Sequence, residues 1–245
     1  MKIINGLDNK IEIGNLDKWF ELCPPKKGIE QWKDLHSAKE MAKFWLEQKN
    51  QDDFQIFIKK AIPEFAYDYA IPEYVSTFDN YDSPRKHDLY IVEKNNKAVI
   101  TIEGKANEFF GNDVFGNEFI NAIKTKIEKQ NSHKIDRMIN LYNNYFHSDG
   151  YILTLMYQLV YWFAGSLVDA IKEDTDNFIM VLQEFRSEKT DFEKINKNHN
   201  DFENFIDFIS EGKHRHIENK QIIGPITNKF TNDKQLFIGY YSIDL

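Results

Sequence analysis

A single cysteine stands among the 245 residues, so no internal disulfide can staple this chain, and the expected setting is a reducing one, the cytoplasm. Cys23 itself reads as a small buried hydrophobe. Glycine and proline are scarce, 11 and 6 residues, which excludes collagen-like and low-complexity architectures. No apolar run reaches the roughly 18 residues a membrane helix needs, and Met1 to Gly6 is too short and soon too polar for a secretion signal. Internal repeats are absent, so one domain over 1–245 is the economical expectation, with an N-terminal helical extension and a C-terminal strand. Positive charge is also short: 31 Lys and Arg against 39 Asp and Glu give a net charge of −8. A protein that coats nucleic acid needs cations to neutralise phosphates, so the balance speaks against that class. It speaks less against a nuclease, whose metal site is itself acidic. What the chain has in quantity is core material, 42% hydrophobic and 15% aromatic residues.

Hydrophobic spacing orders this material. Weak strand signals at Ile11 to Ile13 lead to the rigid Cys23-Pro24-Pro25 turn. A helix opens at Ser37, where Ala38, Met41, Ala42, Trp45 and Leu46 recur at helical period and Ser37 with Glu40 reads as a capping box. A short helix is expected over Asp52 to Lys60. Strand-like runs then follow at Tyr69–Val75, His87–Val92 and Ala98–Glu103, with Asn95-Asn96 supplying a tight turn between the last two. Helical period returns through Phe119, Ile120, Ile123 and Ile127, then Ile135 to Phe146, then along the wide apolar stripe from Ile152 to Ile171. Phe178–Leu182 reads as a buried strand, Phe202 to Ile209 as a helix, and Gln235–Tyr241 as a last strand. This order predicts an α/β or α+β fold with a mixed central sheet flanked by helices.

One constellation carries chemistry. Glu103-Gly104-Lys105 ends the third strand of the meander and Asp88 opens the second. Alternation puts Glu103 and Lys105 on one face and Ile100 and Ile102 on the other, and pairing through the Asn95-Asn96 turn brings Asp88 toward Glu103. Two carboxylates can hold Mg²⁺, which polarises a phosphoryl group and activates water, and Lys105 would orient or deprotonate that water. In this reading Lys105 is catalytic more than structural. Glu-x-Lys also occurs at Glu47/Lys49, Glu211/Lys213 and Glu218/Lys220, but none of these follows a strand bearing an acidic residue. An exposed Glu–Lys pair at a strand end is the competing reading of the same triplet.

The stretch Ser83-Pro84-Arg85-Lys86-His87-Asp88-Leu89, followed by Glu103-Gly104-Lys105-Ala106-Asn107-Glu108-Phe109-Phe110-Gly111, resembles the core of the PD-(D/E)xK nuclease superfamily. More narrowly it resembles a group of small bacterial proteins assigned there. In that group a Ser-Ala-x-Glu-Leu-Ala helix precedes the meander, matched by Ser37-Ala38-Lys39-Glu40-Met41-Ala42 between Trp32 and Trp45. Tyr157-Gln158-Leu159 and the closing Phe237-Ile238-Gly239-Tyr240 match two further short motifs, and the likeness runs from about residue 31 to 243. The group carries His and Arg shortly after Tyr-Gln-Leu, where this chain has Tyr161 and Trp162. The resemblance implies a restriction-endonuclease-like core and a Mg²⁺- or Mn²⁺-dependent endonuclease acting on phosphodiester bonds, foremost in DNA, in bacterial defence. It implies metal ligation by Asp88, Glu103 and the Gly104 carbonyl, with Lys105 acting on the water.

Supporting candidates have bland readings beside them. Glu40 is a helix carboxylate that completes the metal site or simply caps its helix. Glu73 approaches the metal or keeps an edge strand soluble, while Glu108 and Gln158 assist the site or face solvent. The Lys213-His214-Arg215-His216 run lacks partners for zinc and reads as a basic loop. Lys124, Lys126, Lys129, Lys134 and Arg137 form a solvated basic face that would guide a phosphate backbone if it lay beside a nuclease site. Acidic net charge suggests that efficient cutting needs self-association or a partner protein, with Leu236 to Tyr241 as an exposed edge for a homodimer. The rival from another class is a non-catalytic module of the same fold that binds a protein or nucleic acid.

Overall fold

The computed structural model describes residues 1–8, 10–79, 81 and 84–245; Ser83, which opens the motif quoted above, lies outside them. One seven-stranded mixed sheet carries the architecture. Its strands are β1 (Lys2–Ile3), β2 (Tyr67–Ser76), β3 (Arg85–Glu93), β4 (Ala98–Lys105), β5 (Asn177–Arg186), β6 (Gln221–Ile226) and β7 (Gln235–Asp244), in the order β1-β2-β3-β4-β5-β7-β6. The meander β2-β3-β4 is antiparallel, and β4-β5-β7 is parallel. Parallel strands need covered faces, and β4 and β5 are accordingly buried almost end to end. The structure is an α/β fold, as the element order requires.

Helices cover both faces. On one side lie α1 (Leu16–Leu22), α2 (Ser37–Leu46) and α3 (Gln48–Ile58), which pack Met41, Trp45, Phe54 and Ile58 against Leu89, Ile91, Ile100 and Ile102. On the other lie α4 (Phe115–Glu128), α5 (Lys134–Asn140), α6 (Tyr157–Lys172) and α7 (Phe192–Ile209). There Leu159, Trp162 and Phe163 pack against Tyr90, Val99 and Met180. Asn96 adopts φ +55 in the β3–β4 turn, the backbone its side chain tolerates.

Several expectations need correction. The helix over 37–46 is capped by His36 rather than Ser37 and the capping box does not form: no side chain caps the helix, and Glu40 reaches past it to the Leu35 N–H. The second helix starts at Gln48, four residues earlier than expected. The stripe from Ile152 is broken, a 3₁₀ turn over Gly150–Thr154 preceding α6. Ile120, Ile123 and Ile127 share the apolar period of α4 yet are exposed. The C-terminal strand is not an edge. β7 lies between β5 and β6, its Leu236 to Tyr241 segment is buried, and β6 takes the edge beside it. That segment therefore cannot serve the homodimer edge expected of it.

The meander contains one irregularity that shapes everything near it. Ile71 pairs with Tyr90 and Tyr74 with His87, three residues apart on each strand, and all four face α6. Strict alternation forbids this spacing, so a face is skipped on both strands at the intervening Glu73 and Asp88. Glu73 absorbs the skip with φ +51. The β3–β4 ladder also ends here, at Leu89 opposite Ile102.

Candidate active site

Where β3 leaves β4, the unpaired end of the ladder is closed by a side chain. Asp88 Oδ2 accepts the Gly104 N–H at 2.7 Å. A residue's N–H and C=O lie along the same strand edge, so the Gly104 carbonyl faces this gap as well. Asp88 is half-buried and lines a groove of about 280 Å³ between the sheet end and the N-terminal segment. Trp19, Cys23, Pro25 and Trp32 roof this groove, with Phe20 and Trp32 in ring contact at 5.3 Å. Cys23 is buried as expected, and burial pushes its thiol up to about 11, so it is no nucleophile.

Glu103 sits beside this point, 1% exposed, with both oxygens engaged. Its Oε2 takes the Arg85 guanidinium, and its Oε1 takes Lys105 Nζ at 2.9 Å together with the Gln158 amide. Gln158 Oε1 in turn accepts from Lys105 Nζ at 3.3 Å. Burial alone would raise the Glu103 carboxyl, but the charges of Lys105 and Arg85 outweigh it and hold it down at about 2. Asp88 goes the other way: burial and the neighbouring Glu103 charge push it well above the usual carboxylate range. Its remaining exposure to the groove tempers that rise. Burial would lower Lys105, yet Glu103, Glu108 and Asp88 together keep it above its ordinary value. The side chain is therefore an ammonium, suited to orienting a ligand and offsetting negative charge rather than to removing a proton.

The structure thus brings Asp88, Glu103, Gly104, Lys105 and Gln158 together. Gln158 belongs to the cluster and is half-buried, because α6 begins at Tyr157 and its first turn points at the end of β4. Glu73 lines the same groove, paired with Lys86 at 3.5 Å, and its own burial raises its carboxyl. Glu108 acts on Lys105 through charge, and its buried Oε1 has no hydrogen-bond partner among the described residues. Glu40 is elsewhere: its carboxylate, 3% exposed, binds the Leu35 N–H at 2.8 Å and Lys43 at 2.9 Å. In the basic loop His216 binds Glu203 at 3.1 Å. Lys134 and Arg137 separate from the rest of the basic face and turn toward the groove's neighbourhood, whereas Lys124 and Lys129 are exposed.

Two groups escaped the sequence reading. Arg85 is buried against Glu103, and nothing in its surroundings along the chain marks it as a core cation. His87 and Asp169 form a buried pair at 3.0 Å, with burial holding the imidazole below its usual value and hence neutral. Gly165 makes room for both: a Cβ there would stand 3.0 Å from Arg85 Cγ and 3.3 Å from the His87 ring.

The donor set suits a small hard cation. Mg²⁺ takes one or two carboxylates from protein and completes its shell with water and phosphate oxygens, and Asp88, Glu103 and the Gly104 carbonyl edge meet that minimum. Glu103 would have to share its Oε2 with Arg85. Among the described residues no group of three or more His, Cys, Asp and Glu side chains is placed to hold a metal ion.

Fold and groove together define an α/β protein with a buried carboxylate–lysine cluster at the point where its sheet divides. A family model described as a domain of unknown function, DUF6946, matches residues 12–245, and the chain belongs to that family. No curated protein and no solved structure matches it. Among the described residues no helix is long and apolar enough to cross a membrane.

Proposed function

We propose that the protein is a metal-dependent nuclease hydrolysing phosphodiester bonds, most readily in DNA, with Mg²⁺ or Mn²⁺ as cofactor. The observation that carries this reading is the meeting of Asp88, the Gly104 edge, Glu103 and Lys105 at one point, beside a roofed groove that Asp88 and Gln158 line. A bound divalent ion would supply Lewis-acid activation of the phosphoryl group. The chain's own residues would do the rest. Asp88 presents its carboxylate to the groove, and Glu103 holds Lys105 at 2.9 Å behind Gln158, which lines that groove. Gln158 fixes both by donating to Glu103 and accepting from Lys105. A fixed cation there offsets the charge that builds on a phosphate oxygen during attack.

A specific observation favours a second reading. Both Glu103 oxygens are already satisfied, as in a closed structural ion-pair network, which suits a non-catalytic module that binds a protein or nucleic acid. Incubating the purified chain with single-stranded DNA, duplex DNA and RNA in Mn²⁺ separates the two. The nuclease reading expects cleavage that Asp88→Asn and Lys105→Met each abolish. Absence of cleavage on every substrate, together with no metal-induced rise in melting temperature, leaves the module. Service in bacterial defence, and a homodimer or partner protein, belong to this proposal as well.

A further inference from the structure

Next to the Asp88 groove lies a second, larger cavity of about 810 Å³. Lys26, Lys86 and Gln158 line both, so the two cavities adjoin. This cavity is lined by flat rings and by cations. Tyr81 and His133 stack at 5.2 Å with only 11° between their planes, and Tyr157 and Tyr161 stack at 5.3 Å and 20°. Arg137 sits 5.5 Å from the Tyr161 ring, held in place by Asp79 at 2.7 and 3.0 Å. Lys134 is fixed by Glu118 at 2.6 Å. In a chain of net charge −8, Lys26, Lys86, Lys134 and Arg137 share one cavity wall, with Glu118 among them.

We propose that this cavity binds an unpaired nucleic-acid strand, whose bases stack on the ring pairs and whose backbone runs over Lys86 to the Asp88 groove. The inference rests on the phosphodiester reading of that groove and narrows its substrate class to single strands. Stacking platforms flanked by cations recognise any base by its face, and a face is available only when the base is unpaired. The second reason is access. The Asp88 groove holds about 280 Å³ under a roof of Trp19, Cys23, Pro25 and Trp32, room for a single backbone. A duplex would meet the roof, keep its bases from the rings, and be repelled by the acidic remainder of the molecule.

The test measures binding in EDTA, so that no cutting intervenes. The full chain is titrated by fluorescence anisotropy into labelled oligothymidylate, oligouridylate and a blunt DNA duplex of equal length. Tighter binding of the unpaired strands than of the duplex is expected, and the two strands tell DNA from RNA as the source. The double variant Tyr81→Ala/His133→Ala should weaken strand binding about fivefold or more and leave duplex binding as it was. His133 is exposed and Tyr81 half-buried, so folding survives, and a melting curve verifies it. Duplex bound as tightly as single strand, or strand binding unmoved in a folded double variant, overturns the inference. The nuclease reading fails separately. A chain that holds the strand but cuts nothing in Mn²⁺ keeps this subsite and loses the nuclease; one that cuts duplex and ignores strands does the reverse.

Discussion

The Asp88 carboxylate closes the open end of the β3–β4 ladder by accepting the Gly104 N–H at 2.7 Å. That bond places an acidic group where two strands part, with the Glu103–Lys105 pair on one side and a roofed groove on the other. Residue 104 is also a point of close approach: a Cβ there would stand 2.9 Å from Met41 Cγ, so the Met41 side chain would have to shift, while Asp88 Oδ2 at 3.5 Å would be in ordinary contact.

Asp88→Asn separates the metal from the fold. Asparagine can still accept the Gly104 N–H, and it removes a carboxylate that burial and Glu103 have pushed upward. In metal-free buffer the variant should melt at or above the wild-type temperature. With Mn²⁺ at about a hundred times its dissociation constant, the wild type should gain about 2.7 kcal/mol and the variant nothing. Differential scanning calorimetry reads both, and an equal gain in the variant would remove Asp88 from the proposed site.

The two carboxylates titrate in opposite senses, which gives stability a characteristic pH profile. Glu103, held at about 2 against an ordinary 4.5, contributes stability that is present above the ordinary value and is lost as pH falls toward the lower one. Asp88 is raised, so the folded state binds more protons than the unfolded one. Stability should therefore fall as pH climbs from its ordinary 3.8 through the raised value. Metal must displace that proton, so Mn²⁺-induced stabilisation should grow with pH over the same interval. Melting temperatures against pH, with and without Mn²⁺, test this. In Asp88→Asn the upper slope should vanish while the acid limb remains.

The fold was largely legible because its signals are local. The Asn95-Asn96 turn, the alternation of Ile100 and Ile102, and the period through Phe202 and Ile209 each reflect neighbours along the chain. The Asp88, Glu103, Lys105 grouping was legible in part for the same reason. The route to it was not: Asp88 reaches Gly104 through a skipped face at Glu73, and a positive φ at a glutamate has no sequence signature. Arg85, the His87–Asp169 pair and the Trp19–Trp32 roof depend on contacts between distant segments. The place of β7 was misread because a central parallel strand and an edge strand show the same short apolar run.

Lys105→Met should impair stability as well as cleavage. The ammonium is 4% exposed and bound to a buried carboxylate, so the purely catalytic role expected of it is too narrow. Removing one member of a buried ion pair costs about 3–5 kcal/mol, and here Arg85 remains to carry part of the Glu103 charge, which favours the lower end. Chemical denaturation measures the loss. An unchanged midpoint would mean that Arg85 and Gln158 alone satisfy Glu103.

Glu40→Ala gives the complementary result and tests the borders of the site. Glu40 is expected from the sequence either to complete the metal shell or to cap its helix, and its Oε1 is spent on the Leu35 N–H at 2.8 Å and on Lys43 at 2.9 Å. Leu35 itself sits at φ +65, a backbone that a bulky side chain holds only under constraint, and Glu40 supplies that constraint. Alanine would leave a part-buried N–H to water and let the turn before α2 relax, at a cost of about 1 kcal/mol. Metal binding should not move, because Asp88, Gly104 and Glu103 keep their contacts. Isothermal titration with Mn²⁺ at a temperature where the variant is folded checks this: an affinity within about twofold of wild type is expected, as for a residue outside the coordination shell. A loss of tenfold or more would bring Glu40 into the site and require α2 to rotate toward Asp88 when metal binds.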